Sequence, residues 1–284
     1  MKLDLPFVEI MATQACNLSC LGCTNYSDLT QKGFLTWPDA KSQIEPWLER
    51  VNINDFGIIG GEPLLNPTIK DWIYGVRELM PTAQIRFTTN GLLLHKHLDI
   101  VDDLMSIGNC VFKISIHTES KRTESIVDYL FKKYEWSNVN EFGIDRFKTG
   151  NNVRFQINKP TVFLKSFKNN YENMLPYSSN PTDAFDICCQ KTCPLLYNGK
   201  IYKCSTSALL KDTLSRVNNP NSEQWEPFLV EGLDPDCSQQ SLQNFVNNFG
   251  RANKICSMCP TINDKNSQIV HFENVSNKKY KIIL

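Results

Sequence analysis

The sequence predicts an α/β protein in which parallel strands alternate with helices, followed by a smaller cysteine-rich segment. Three observations predict it. Between Phe7 and Tyr134, short apolar runs alternate with helix-like stretches four times. The first three runs end in loops or turns carrying Cys, Gly or Asn. The eleven cysteines fall into two groups, one before residue 24 and one from Cys188 onward, with Cys110 between them. Strands that alternate with helices pair in parallel through right-handed crossovers, and successive units close into a barrel or leave it partly open.

Composition narrows the function classes. A chain of 284 residues holds one large domain or one domain with an appendage. Lys+Arg and Asp+Glu balance at 30 each, and no basic stripe argues for nucleic acid. Lys121-Arg122 and Lys278-Lys279 read as solvated surface. The start, Met1-Lys2-Leu3-Asp4-Leu5-Pro6, lacks the apolar core of a signal peptide, and no apolar run is long enough to span a bilayer. A soluble, cytoplasmic protein is expected. In a reducing compartment, clustered cysteines point to metal or redox chemistry rather than disulfides.

In order along the chain, Phe7–Thr13 reads as a strand that delivers the first cysteine loop at its C-terminal end. Thr36-Trp37-Pro38-Asp39 combines a capping residue, an early proline and an acid, a helix start. Pro46 should kink or end that helix. Asp55–Ile59 is a second strand, closed by Gly60-Gly61-Glu62-Pro63, and Asn66-Pro67 opens a helix to about Met80. Strand Ile85–Thr89 ends at Asn90-Gly91, and a helix follows from His97 to Ile107. Val111–Ile116 is the next strand, and Ser120 to Tyr134 the next helix. Glu141 to Phe147 and Val153 to Asn158 read as the last two strands, with the helix between them missing or very short. A boundary falls near Tyr177-Ser178-Ser179-Asn180-Pro181, giving domains 1–177 and 178–284. The chemistry of such folds sits at the C-terminal ends of the strands, where the cysteine loop and both glycine turns lie.

Cys16, Cys20 and Cys23 stand at Cys-x3-Cys-x2-Cys spacing, with no fourth cysteine in the next eighty residues. A [4Fe-4S] cluster takes one thiolate per iron. Three local ligands leave one iron open to an exogenous molecule. Zinc is the alternative, although a structural zinc site wants a fourth donor. In Gly60-Gly61-Glu62-Pro63, two glycines let the backbone approach a ligand, and the carboxylate can hold an ammonium group. With Thr88-Thr89-Asn90-Gly91 and Ser115-Ile116-His117, these motifs resemble those of the radical S-adenosylmethionine (radical SAM) superfamily.

That resemblance implies a partial (β/α)6 TIM-like barrel holding a [4Fe-4S] cluster on Cys16, Cys20 and Cys23, with SAM at the open iron. Gly60, Gly61 and Glu62 would contact the methionine end of SAM, and Thr89, Asn90 and Ser115 would lie near it. By the family's mechanism, one electron from the reduced cluster cleaves SAM to methionine and a 5′-deoxyadenosyl radical that takes hydrogen from a substrate. Gly22 departs from the aromatic that many members carry beside the third cysteine. His117 stands where many carry Asp, and is read equally well as a core histidine. His95, His97 and His271 show no ligand spacing.

The second group runs Cys188-Cys189-Gln190-Lys191-Thr192-Cys193-Pro194, then Cys204, then Cys256-Ser257-Met258-Cys259. Asn198-Gly199 between apolar residues signals a two-residue hairpin that brings its flanks together. Cys189, Gly199, Cys204, Cys256 and Cys259 resemble the SPASM and twitch domains, a small C-terminal cluster-binding domain. The resemblance implies one auxiliary [4Fe-4S] cluster on Cys189, Cys204, Cys256 and Cys259. Cys188 is an equally spaced first ligand, while Cys193 sits too near Gly199. A four-cysteine zinc site is the alternative. Cys237 and Cys110 read as spare thiols.

The expected activity is therefore a radical SAM oxidoreductase fed by an external one-electron reductant of flavodoxin or ferredoxin type. It would carry out a net oxidation or bond formation as a peptide or protein maturase. The alternatives are a small-molecule dehydrogenase and, from another class, a non-catalytic zinc-stabilised binding module. Asp183, Asp186, Glu231, Asp234 and Asp236 form a pool of proton acceptors from which spacing selects none.

Overall fold

The computed structural model describes residues 2–29, 32–118, 120–134, 137–141, 144–148, 152–160, 162–264, 268–270 and 275–277. His271 and Lys278-Lys279 lie outside the described residues, as does the side chain of Arg122. Strands β1 (Leu3–Thr13) and β2 (Leu18–Cys20) flank the first cysteine. Helix α1 (Trp37–Leu48), β3 (Val51–Gly60), α2 (Ile69–Leu79), β4 (Gln84–Thr89), α3 (Leu98–Ile107), β5 (Cys110–Ser115) and α4 (Lys121–Tyr134) come after them. Next are β6 (Ser137–Glu141), β7 (Ile144–Lys148), β8 (Val153–Asn158) and β9 (Val162–Leu164). The remainder is α5 (Pro181–Asp186), β10 (Leu195–Tyr197), β11 (Lys200–Tyr202), α6 (Ser205–Arg216), α7 (Gln239–Asn247), β12 (Gln268–Val270) and β13 (Val275–Asn277).

Nine strands form one open sheet in the order β11-β10-β1-β3-β4-β5-β8-β7-β6. Six neighbours, β10, β1, β3, β4, β5 and β8, run parallel, so the α/β partial barrel expected from the sequence is present. Its edges differ from expectation. The stretch read as one strand over 141–147 is instead two arms of an antiparallel hairpin, β6 and β7, laid on β8. The sixth parallel strand, β10, comes from the cysteine-rich segment and pairs with β1. It belongs to the hairpin predicted at Asn198-Gly199, where positive φ at both residues (50° and 78°) matches the twist of its strands.

Alternation along the strands separates two faces. Val8, Ile10, Phe56, Ile58, Ile85, Phe87, Phe112, Ile114 and Phe155 point outward and are buried beneath the helices. Each such side chain stabilises the fold by roughly 1.5–3 kcal/mol. Helix α1 starts as the sequence predicts, with Thr36 Oγ1 accepting from Asp39 N at 3.3 Å. It buries Ala40, Ile44 and Trp47, and ends at Leu48, two residues beyond Pro46.

The C-terminal part packs directly on this barrel. Trp47 Nε1 donates to Gly199 O at 2.9 Å, and Gly199 N donates to Gln43 at 3.0 Å. A second core of Met11, Tyr26, Phe167, Leu195, Leu209 and Trp225 draws on both parts. Among the short strands, β12 pairs with β9 and β13 with β2, so residues 275–277 lie alongside the first cysteine loop. Among the described residues, no helix is long and apolar enough to cross a membrane.

Candidate functional site

Strand β1 ends at Thr13, and from there the backbone is tied to the glycine turn. Gly61 N donates to Thr13 O at 2.9 Å, and Glu62 N to Ala15 O at 2.8 Å. A Cβ on Gly60 would lie 2.5 Å from Thr13 O, and one on Gly61 would lie 2.3 Å from Ala15 O and 2.8 Å from Cys16 Cβ. The sequence suggested that these glycines make room for a ligand. The structure adds that they make room for the cysteine loop itself.

Glu62 is fully buried and does not line the cavity described below. Its Oε1 accepts from Thr89 Oγ1 at 2.7 Å and Leu64 N at 3.1 Å, and its Oε2 accepts from Asn90 N at 2.7 Å. This carboxylate therefore locks the ends of β3 and β4 together, a role the motif alone did not reveal. Asn90 continues the chain of contacts, with Nδ2 donating to Asn17 Oδ1 at 2.7 Å and lying 3.9 Å from Cys16 Sγ. Leu18 N also donates to Cys16 Sγ at 3.4 Å. The sulfur thus sits among donors that favour a thiolate.

Burial raises the Glu62 carboxyl from its ordinary 4.5 to about 7, against the three donors that pull it down. The folded chain holds this proton more tightly than the unfolded chain does. The resulting stabilisation is complete below about pH 4.5 and is lost as pH rises through about 7. At pH 5 the wild-type side chain is the neutral acid, whose hydroxyl oxygen can still accept a hydrogen bond; Glu62→Gln puts there an amide NH2 that cannot, a cost of about 2 kcal/mol. Urea denaturation should show that cost shrinking toward pH 8, where the wild type has lost its own proton-linked term. A difference independent of pH contradicts this account.

One cavity of about 580 Å³ collects most of the residues the sequence singled out. Cys16, Cys20, Cys23, Gly60, Gly61, Thr89, Asn90, Ser115 and His117 line one end. The His117 ring packs against Phe163 at a tilt of 59°, with ring centroids 5.5 Å apart. The other end is lined by Glu9, Asp55, Arg86 and Lys113, which the sequence reading passed over. Each is a charged residue on the inward side of an apolar strand, as in Val8-Glu9-Ile10, Ile85-Arg86-Phe87 and Phe112-Lys113-Ile114. That isolation is the signal that could have found them. Burial raises Glu9 to about 7, opposed first by Lys113 and then by Arg86.

A smaller cavity of about 50 Å³ is lined by Cys188, Cys189, Cys204, Cys256 and Cys259. The hairpin has done what its sequence predicts and gathered cysteines from both flanks. Cys188 and Cys189 both line this space, and Cys189 and Cys193 also line the larger cavity. Cys193 does not reach the smaller one. Burial first, then the neighbouring Cys189, Cys204 and Cys256, push the Cys188 thiol up to about 12. Sulfurs this close repel as thiolates and stay deprotonated together when a cationic centre binds them. Among the described residues, no three His, Cys, Asp or Glu side chains meet closely enough to hold one metal ion. Cys110 and Cys237 line neither cavity. The two cysteine sites are bridged by hydrogen bonds from Ser205 and Thr206 to Thr24 O, at 3.2 and 3.3 Å.

Residues 10–140 match the Radical SAM superfamily. The chain carries a radical SAM domain. Superfamily members bind a [4Fe-4S] cluster and SAM, and three thiols facing strand ends across one cavity fit that pair of groups. Among curated relatives, a GTP 3′,8-cyclase of Rhodopirellula baltica is 29% identical over 119 residues, 41% of this chain and 32% of its own. One from Chlorobaculum tepidum is 32% identical over 93 residues, 33% of this chain and 28% of its own. The match thus spans about a third of those relatives' length. BtrN, solved in complex with AdoMet and 2-DOIA, shares the fold across the radical SAM domain and the cysteine-rich part alike. It has a TM-score of 0.51 at 14% identity over 92% of this chain and 95% of BtrN.

Proposed function

We propose that the protein is a radical SAM enzyme that abstracts hydrogen from a small polar molecule. The observation that carries this reading is the single cavity with the cysteine triplet at one end and a row of charged side chains at the other. Cys16, Cys20 and Cys23 hold a [4Fe-4S] cluster, and Gly60, Gly61, Thr89, Asn90 and Ser115 surround SAM beside it. Bound there, the cluster and SAM supply reductive cleavage to methionine and a 5′-deoxyadenosyl radical. Glu62 fixes the strand ends that face SAM, and Asn90 braces the cysteine loop through Asn17.

Cys204, Cys256 and Cys259, with Cys189 or Cys188, would hold an auxiliary [4Fe-4S] cluster, which would supply a one-electron acceptor for a net oxidation. Residues 1–177 then form the radical SAM unit and 178–284 the cluster unit, the latter lending β10 to the sheet. The relatives' name places their reaction on GTP, which favours a small molecule over the peptide or protein maturase. An external reductant of flavodoxin or ferredoxin type and a cytoplasmic location complete the reading.

Anaerobically purified protein is expected to carry about eight irons per chain, two clusters of four. With dithionite and SAM it should release 5′-deoxyadenosine. Zinc without iron, and no 5′-deoxyadenosine, would instead leave the zinc-stabilised binding module.

A further inference from the structure

The charged end of the cavity is not uniformly satisfied. Arg86 is committed twice, in an ion pair with Asp55 and with its guanidinium 5.1 Å from the centroid of the Phe7 ring. Glu9 faces the charges of Lys113, Arg86 and Asp55 across the concave face of the sheet. Lys113 lines the cavity half-buried, and among the described residues it has no ion-pair or hydrogen-bond partner. A partly desolvated ammonium left this way is costly unless a ligand completes it.

Its surroundings supply uncharged donors. Strand register sets Thr88 beside Lys113 on β4, and Lys113 beside Gln156 on β8, two residues before Asn158. Thr88 and Asn158 also line the cavity, and among the described residues their side chains donate to no protein acceptor. An ammonium flanked by a hydroxyl and an amide is the donor set that receives an oxyanion.

We infer that Lys113, with Thr88 and Asn158, forms an anion-holding subsite, so that the substrate carries a phosphate or carboxylate group. This rests on reading the cavity as the substrate site. Beside the subsite, Glu9 accepts a hydrogen bond from a hydroxyl or amine of the same molecule. The anion then lies away from the cysteine end and aims the rest of the substrate toward it.

Calorimetric titration of the anaerobically purified protein with inorganic phosphate and with acetate, against matched chloride, tests this. Wild type should bind one of the two probes above chloride. Phosphate alone indicates a phosphate ester substrate, and acetate alone a carboxylic acid. Lys113→Met should weaken the bound probe at least about tenfold, and Lys113→Arg should restore it to within about threefold. If Lys113→Met does not fold, Thr88→Val and Asn158→Ala should each weaken binding. Equal binding by wild type and these variants, or no binding above chloride, overturns the subsite. Competition between the probe and saturating SAM overturns its assignment to the substrate. Protein that releases no 5′-deoxyadenosine yet shows Lys113-dependent binding loses the proposed reaction and keeps the subsite. Active protein with Lys113-independent binding loses the subsite alone.

Discussion

Cys20→Ala is expected to reduce 5′-deoxyadenosine formation to background and to lower the iron content by about four per chain. Each thiolate in such a loop holds one iron, so two remaining sulfurs leave two irons without a protein ligand. The substitution is mild for the fold. Cys20 ends β2, whose backbone pairs with Val275 through main-chain groups that alanine keeps. Its side chain is buried in a small cluster with Cys16 and Leu18, so a modest loss of packing is the structural cost. The second cysteine group lies on other elements and should keep its own metal. Undiminished turnover sinks the assignment of the first cluster. Complete loss of iron together with loss of secondary structure would mean that the variant had simply unfolded, and Cys20→Ser then repeats the test.

Gly61→Ala is expected to be nearly as damaging without removing any ligand. The added methyl would meet Ala15 O at 2.3 Å and Ala15 C at 2.6 Å. Both are backbone atoms, held in place because Glu62 N donates to that same carbonyl. The cysteine loop therefore has to move, at a cost of about 3 kcal/mol, the upper range for overpacking. Iron content and 5′-deoxyadenosine should fall together. Gly199→Ala is the contrast. A Cβ added there would meet nothing within 4 Å, so its cost is backbone strain at φ 78°, about 1 kcal/mol. Normal iron loading in Gly61→Ala would show that the loop tolerates displacement and that the close approach is incidental.

Much of this was legible in the residues. Local signals marked α1, through Thr36 and Pro38, and the hairpin at Asn198-Gly199, because capping and turn chemistry act over a few residues. The cysteine spacings and the glycine turn announced their neighbourhoods for the same reason. What stayed hidden depends on pairing between distant strands. Nothing near Leu195 says that it will lie beside Glu9, and nothing near Glu62 says that its carboxylate will be taken up by Thr89 and Asn90. The inward charges were overlooked because one charge inside an apolar strand breaks a pattern rather than making one. The pairing of β6 with β7 was missed because Ser137–Glu141 holds a single apolar residue, Val139, and so shows no alternating pattern.

Strand β1 has β3 on one side and β10 on the other, and this constrains anyone wishing to recombine such proteins. The strand launches the Cys16 loop from its end, while its flank receives the chain just after Cys193, with Glu9 N bonded to Pro194 O. The separation between the two thiol-bearing centres is thus fixed by main-chain ladders rather than by a tether. A grafted C-terminal segment would keep that separation only if its β10 matched the receiving edge of β1. Exchanging modules at the polar stretch near Tyr177 alone would leave that seam mismatched.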